Sequence, residues 1–114
     1  MKPQKSTFKA ALEQCGLSNR AAAQFFNVSV DTVDSWSRNR NPVPDGVWIE
    51  LAALDDSIWE AVDYHSERLK GEPVDSKALL NCTVQVLGAP ECVEVAAGAR
   101  LMLARVFEQA QEEE

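Results

Sequence analysis

The chain is poor in the residues that carry most catalytic and covalent chemistry. It holds one histidine, His65, and three cysteines, Cys15, Cys82 and Cys92. The thiols form neither an even set nor a close pair, which argues against a disulfide scaffold and against metal-ligand spacing. They read as reduced thiols, and no metal or cofactor is expected. No apolar run reaches the roughly 20 residues of a membrane span, and Lys2 to Lys9 lead into an amphipathic stretch rather than a signal peptide. A cytoplasmic protein with no membrane partner is therefore expected. The five glycines include no phosphate-cradling loop. The carboxylates of Asp55-Asp56 and Glu112 to Glu114 lack the distinct environments that an acid–base pair needs. No catalytic residue emerges, and an enzyme is not expected.

What is present is apolar enough to fold. Of 114 residues 46% are hydrophobic, which suits one compact domain or a small module with an extension. The net charge of −7 is unevenly spread. Residues 1–45 carry six Lys and Arg against four Asp and Glu, a balance of +2, which leaves −9 to residues 46–114. A basic amino-terminal third can present a positive face to phosphates while the acidic remainder faces away.

Helical periodicity dominates. Phe8, Ala11, Leu12 and Cys15 share one face of a first helix, capped by Ser6 or Thr7 and stopped by Gly16. Two short helices follow, Asn19 to Phe26 and Val30 to Arg38, with Ser18 and Ser29 as caps. Asn27 stands where the chain must turn sharply, since Asn tolerates a left-handed backbone. Ala22, Ala23, Phe26, Val33 and Trp36 fall where the two would touch, so Trp36 reads as core. Asn39 to Gly46 is a loop. A long helix from Asp45 to about Lys70 has the stripe Val47, Leu51, Leu54, Ile58, Ala61, Val62, His65 and Leu69, on which His65 reads as a core or interface residue. Trp48, Ala52 and Trp59 form a second apolar line. Val74 to Leu80 reads as a short helix or an extended link. Cys82, Val84 and Val86 alternate with polar residues, as in a short strand near 82–87. Pro90 opens a final helix at its first position, with Cys92, Val95, Ala96, Ala99, Met102, Leu103, Val106 and Phe107 at helical spacing. Glu112 to Glu114 reads as a solvated tail. The expected class is all-α: a helix-turn-helix module over 1–45 and a helical extension over 46–114.

Leu17-Ser18, Ala23, Asn27-Val28-Ser29, Val33, Trp36, Arg38-Asn39-Arg40 and Pro42 together resemble the lambda-repressor and Cro-like helix-turn-helix family. The resemblance covers about a quarter of the chain. It departs at Asn27, where the family has Gly, and at the bulky Phe25-Phe26. The continuation Val43-Pro44-Asp45-Gly46-Val47-Trp48 is similar to a small group of phage and bacterial repressors that includes anti-CRISPR-associated regulators. The resemblance implies a bacterial or phage-encoded, nucleoid-associated repressor that binds double-stranded DNA.

In a helix-turn-helix the exposed first turns of the second helix reach base edges. Here those are Val30, Asp31, Asp34 and Ser35. Val30 suits a thymine methyl, Ser35 either donor or acceptor, and the two aspartates a cytosine amino group. Asp31 is also a favourable charge for the helix amino end. Arg38, Asn39 and Arg40 suit phosphate or minor-groove contacts, or a plain solvated loop. Asn19 and Arg20 open the preceding helix, where anions are favoured; the alternative for Arg20 is an internal ion pair. Lys2, Lys5 and Lys9 read as a basic arm or a solubilising end.

The apolar surface of the extension exceeds what a small DNA-binding core needs, which points to a homodimer. The expected interface is Val84 and Val86 on the strand, paired with its copy, with Leu103, Val106 and Phe107 on the last helix. It would hold two recognition helices about 34 Å apart on a palindromic operator. The rival is a helix-turn-helix protein-interaction module, or an antitoxin-like protein whose acidic end binds a protein partner.

Overall fold

A computed structural model of the chain describes residues 6–74 and 82–112. It is all-α, with five helices among the described residues: α1 (Thr7–Gln14), α2 (Asn19–Phe26), α3 (Val30–Ser37), α4 (Asp45–Arg68) and α5 (Glu91–Glu112). None is long and apolar enough to cross a membrane. The expectations for residues 1–5, for 75–80 and for the last two glutamates lie outside the described residues.

The first three helices start and stop by one device. Ser6, Ser18 and Ser29 are extended, and their hydroxyls accept from the amides of Lys9, Ala21 and Thr32. Each cap satisfies an N–H that the helix leaves unpaired, worth about 1 kcal/mol. At the other ends Gly16, Asn27 and Asn39 take φ values of 83°, 57° and 61°. The next residue then donates five positions back: Leu17 to Leu12 at 2.8 Å, Val28 to Ala23 at 2.9 Å and Arg40 to Ser35 at 2.9 Å. This left-handed stop consumes the last free carbonyls and turns the chain without a long loop.

The core is continuous through all five helices. Its amino-terminal part is built on Phe8, whose ring meets Trp36 edge-on at 5.8 Å, Trp48 edge-on at 5.4 Å and Phe26 at 6.5 Å. Trp36 is buried, as its spacing from Val33 requires. Leu51, Leu54, Ile58 and Val62 line the buried face of α4. Val47, Ala61, His65 and Leu69 are half-buried beside them.

The last third departs from the sequence reading in three ways. First, no strand forms among the described residues. Cys82 to Val86 run extended, but Val84 and Val86 are buried within their own chain. Their amides donate to the Glu94 carbonyl at 3.0 Å and the Glu94 carboxylate at 3.2 Å. Neither side chain is therefore available to a second copy. Second, α5 buries Val93, Ala97, Leu101, Met102 and Arg105, while Val95, Ala99, Leu103, Val106 and Phe107 face water. The helix is apolar nearly all round from Cys92 to Phe107, so periodicity alone did not select the face. Backbone approach does: a Cβ at Gly98 would collide with the Cys82 carbonyl, and one at Gly16 would lie 2.6 Å from the Cys92 carbonyl oxygen. Third, Pro90 precedes α5, and its carbonyl accepts from Val93 and Glu94.

Two arginines tie the helices together. Arg105, buried, donates from Nη2 to the carbonyls of Glu72 at 2.7 Å and Leu69 at 3.3 Å, which closes the carboxyl end of α4. Arg100 Nη2 donates to the Gln14 carbonyl at 2.8 Å and to Asp55 Oδ1 at 2.9 Å, with its guanidinium 4.9 Å from the Trp59 ring centre. The Cys15 thiol lies beside this pair, 3.9 Å from Asp55 Oδ1. Burial pushes its pKa up to about 11, the Asp55 charge adding to the effect and Arg100 opposing it.

Phe8→Ala removes the ring on which three helices converge and should cost about 3–5 kcal/mol in chemical denaturation. The raised Cys15 pKa means that the folded state holds a proton which the unfolded thiol loses near pH 9. The protein should therefore lose stability as pH rises from about 9 towards 11, with no effect of this group below that window. Cys15→Ala should remove that component, so the stability difference between variant and parent changes slope only in this range. An unchanged difference from pH 8 to 11 would refute the assignment.

Candidate functional site

The surface around α3 is defined by what its inner face engages. Val33 and Trp36 enter the core, and Ser37 is buried beside them. Asn19, the first residue of α2, then locks the helices by polar contacts. Its Oδ1 accepts from Lys9 Nζ of α1 at 2.7 Å and from Ser37 Oγ of α3 at 3.4 Å. Its Nδ2 donates to Asp34 Oδ1 of α3. One amide thus joins three helices and fixes how α3 lies against the other two. Sequence reasoning missed the parts of Lys9 and Ser37 in this network; the signal was a buried-face serine next to Trp36.

The network sorts the candidate residues. The side chains of Asn19 and Asp34 are occupied inside the protein. Ser35 is half-buried, and its hydroxyl donates to the Thr32 carbonyl at 2.9 Å within its own helix. Asn39 faces solvent, but its backbone is the left-handed stop of α3. Exposed at the amino end of α3 are Val30, at 42% of its full area, and Asp31 in the first turn. Exposed after its carboxyl end are Arg38 and Arg40, and at the start of α2 Arg20. The ion pair between Arg100 and Asp55 is the one found among the described residues, and the exposed guanidinium groups of Arg20, Arg38 and Arg40 have no carboxylate partner among them.

Asp31 and Asp34 stand in different electrostatic settings. Asp31 lies where the helix dipole and the Ser29 cap favour a negative charge. Asp34 is half-buried against the Asn19 amide, which supplies a donor to its carboxylate. The outward charge around α3 is therefore one aspartate against Arg20, Arg38 and Arg40. That is a rigid helix end with an apolar side chain at its tip and cations on its flanks.

Removing the amide should loosen this surface before it changes its charge. Asn19→Ala leaves the buried Ser37 hydroxyl and the Asp34 carboxylate short of a partner and should cost about 1–3 kcal/mol by urea unfolding. Asn19→Asp keeps acceptors for Lys9 and Ser37 but removes the donor to Asp34 and sets a second carboxylate against it, so at neutral pH it should be less stable than the parent. If both variants match the parent, the amide does not hold the helices. Comparison with protein-family models, with curated proteins and with solved structures returns no match to this chain.

Proposed function

We propose that this chain is a sequence-specific double-stranded DNA-binding regulator, a repressor that acts as a homodimer on a palindromic operator. The observation that carries the reading is the pair α2–α3: two eight-residue helices with a tight left-handed turn at Asn27, pinned by Asn19, with Val30 outward at the tip of α3. This is the arrangement in which a second helix enters a major groove. The resemblance of residues 17–42 to the lambda-repressor and Cro-like family supports it. Val30 is the best reader of a base edge, through a thymine methyl, and Arg20, Arg38 and Arg40 are the best phosphate anchors. The internal bonds of Asp34 and Ser35 favour Val30 over both as the specificity residue. Such a protein works in the cytoplasm, on the nucleoid, and represses by occupying an operator that overlaps a promoter.

One observation favours a second reading. Glu50, Asp56, Glu60, Asp63 and Glu67 are exposed along α4. A basic protein partner would suit that face, as in an antitoxin-like protein with two working ends.

Titration against the upstream duplex and a scrambled one, at several salt concentrations, separates the two. Arg40→Ala should weaken binding to both duplexes and lower the salt slope by about one unit for each lost phosphate contact. Val30→Ala should leave the slope unchanged and reduce discrimination by about 1 kcal/mol. If the folded parent binds neither duplex, the DNA reading fails and the partner-binding reading takes its place.

A further inference from the structure

Most side chains on the first two turns of α3 are already engaged. The Ser29 and Thr32 hydroxyls bond each other at 2.8 Å, and Ser29 Oγ also accepts from the Thr32 amide. The Ser35 hydroxyl donates to the Thr32 carbonyl, and Asp34 Oδ1 accepts from Asn19. Val33 and Trp36 lie in the core. Val30 and Asp31, both exposed, are left. They are the first two residues of the helix, and Cα–Cβ bonds tilt towards a helix's amino end, so both side chains lean past the tip. The tip of α3 thus presents an apolar group and a hydrogen-bond acceptor side by side, with no free side-chain donor between them.

That pair discriminates among base edges in a major groove. Guanine shows two acceptors, which repel a carboxylate, and adenine an amino donor next to an acceptor, with no methyl. Thymine shows a methyl, but the group beside it is a carbonyl acceptor; cytosine shows an amino donor beside a bare ring carbon. Methylating cytosine at its fifth ring position sets a methyl directly beside the amino donor, an edge that no unmodified base has. We infer that α3 meets 5-methylcytosine, with Val30 covering the methyl and the Asp31 carboxylate accepting from the amino group next to it. This rests on the DNA-binding reading of α2–α3 and refines the base that Val30 meets. A carboxylate beside a duplex is repelled by the phosphates and strengthens binding only where it finds a donor. The amino end of the α3 dipole and the cations Arg20, Arg38 and Arg40 on the flanks offset that repulsion.

The test uses the upstream duplex in four forms: unmodified, with 5-methylcytosine for cytosine, with uracil for thymine, and with both replacements. Uracil lacks the thymine methyl and keeps the rest of its edge. The parent should bind each 5-methylcytosine form about fourfold more tightly, per contacted methyl, than its cytosine counterpart, the factor for burying one carbon group. It should be indifferent to uracil. Val30→Ala should lose the preference for 5-methylcytosine. Asp31→Ala should weaken binding to the methylated upstream duplex yet tighten binding to a scrambled one, where only repulsion is lost; a role confined to the helix dipole would not give opposite signs. Equal binding of the four forms by the parent, or weakening by uracil with no response to 5-methylcytosine, overturns the inference and leaves the DNA-binding reading standing. A preference that survives in Val30→Ala, or tighter binding of Asp31→Ala to both duplexes, overturns it as well. A folded parent that binds no duplex at all ends both.

Discussion

The Phe8 ring is the contact on which the rest of the molecule depends. It is nearly inaccessible and touches one aromatic side chain from each of α2, α3 and α4. Edge-to-face contacts favour particular ring angles, so the cluster orients the helices as well as burying area. The surface at the tip of α3 inherits its position from this cluster on one side and from the Asn19 amide on the other. Apolar packing sets the distance between α1 and α3, and the polar network sets their rotation.

Charge is arranged by the same economy of contacts. The two arginines of α5 face inward and leave its outer surface uncharged, whereas Arg20, Arg38 and Arg40 face outward without partners. Within the extension Arg100 and Arg105 join elements and close a helix end, whereas near α3 Lys9 is engaged by Asn19 and the three arginines are left free. A net acidic chain thus keeps a locally basic end, because the acids are concentrated on α4 and beyond.

Most of the first 70 residues were legible in the sequence. Serine caps, a left-handed Asn and a strict apolar period determine α1 to α4, since each signal acts within a few residues. Trp36 was legible as core for that reason. The carboxy-terminal third was not. A helix apolar on every side has no preferred face until something long-range chooses one, here Gly98 under the Cys82 backbone and Arg105 on the end of α4. The strand pattern of Cys82 to Val86 was real alternation, but it records burial against α5 rather than pairing with a neighbouring strand. At the candidate site the exposure of Val30, Arg38 and Arg40 followed from position. The internal engagement of Asn19, Asp34 and Ser35 did not, because it depends on which helix end each one meets.

The repeated left-handed stop also bears on the order of assembly. Helices α1 to α3 are closed by bonds that span five residues, and their shared ring cluster draws on residues 8 to 48. These are local contacts with little loop-closure entropy to overcome. The attachment of α5 is of the opposite kind: Arg100 reaches the Gln14 carbonyl across 86 positions of chain. During synthesis the amino-terminal helices can collapse on one another long before residue 100 leaves the ribosome. Until then the groove beside Gly16 stays open, and Cys15 and Trp59 lie uncovered. The interval between those two events is the period in which the nascent chain exposes apolar surface, and its length is set by the distance in sequence between Gly16 and the Cys92 backbone that closes over it.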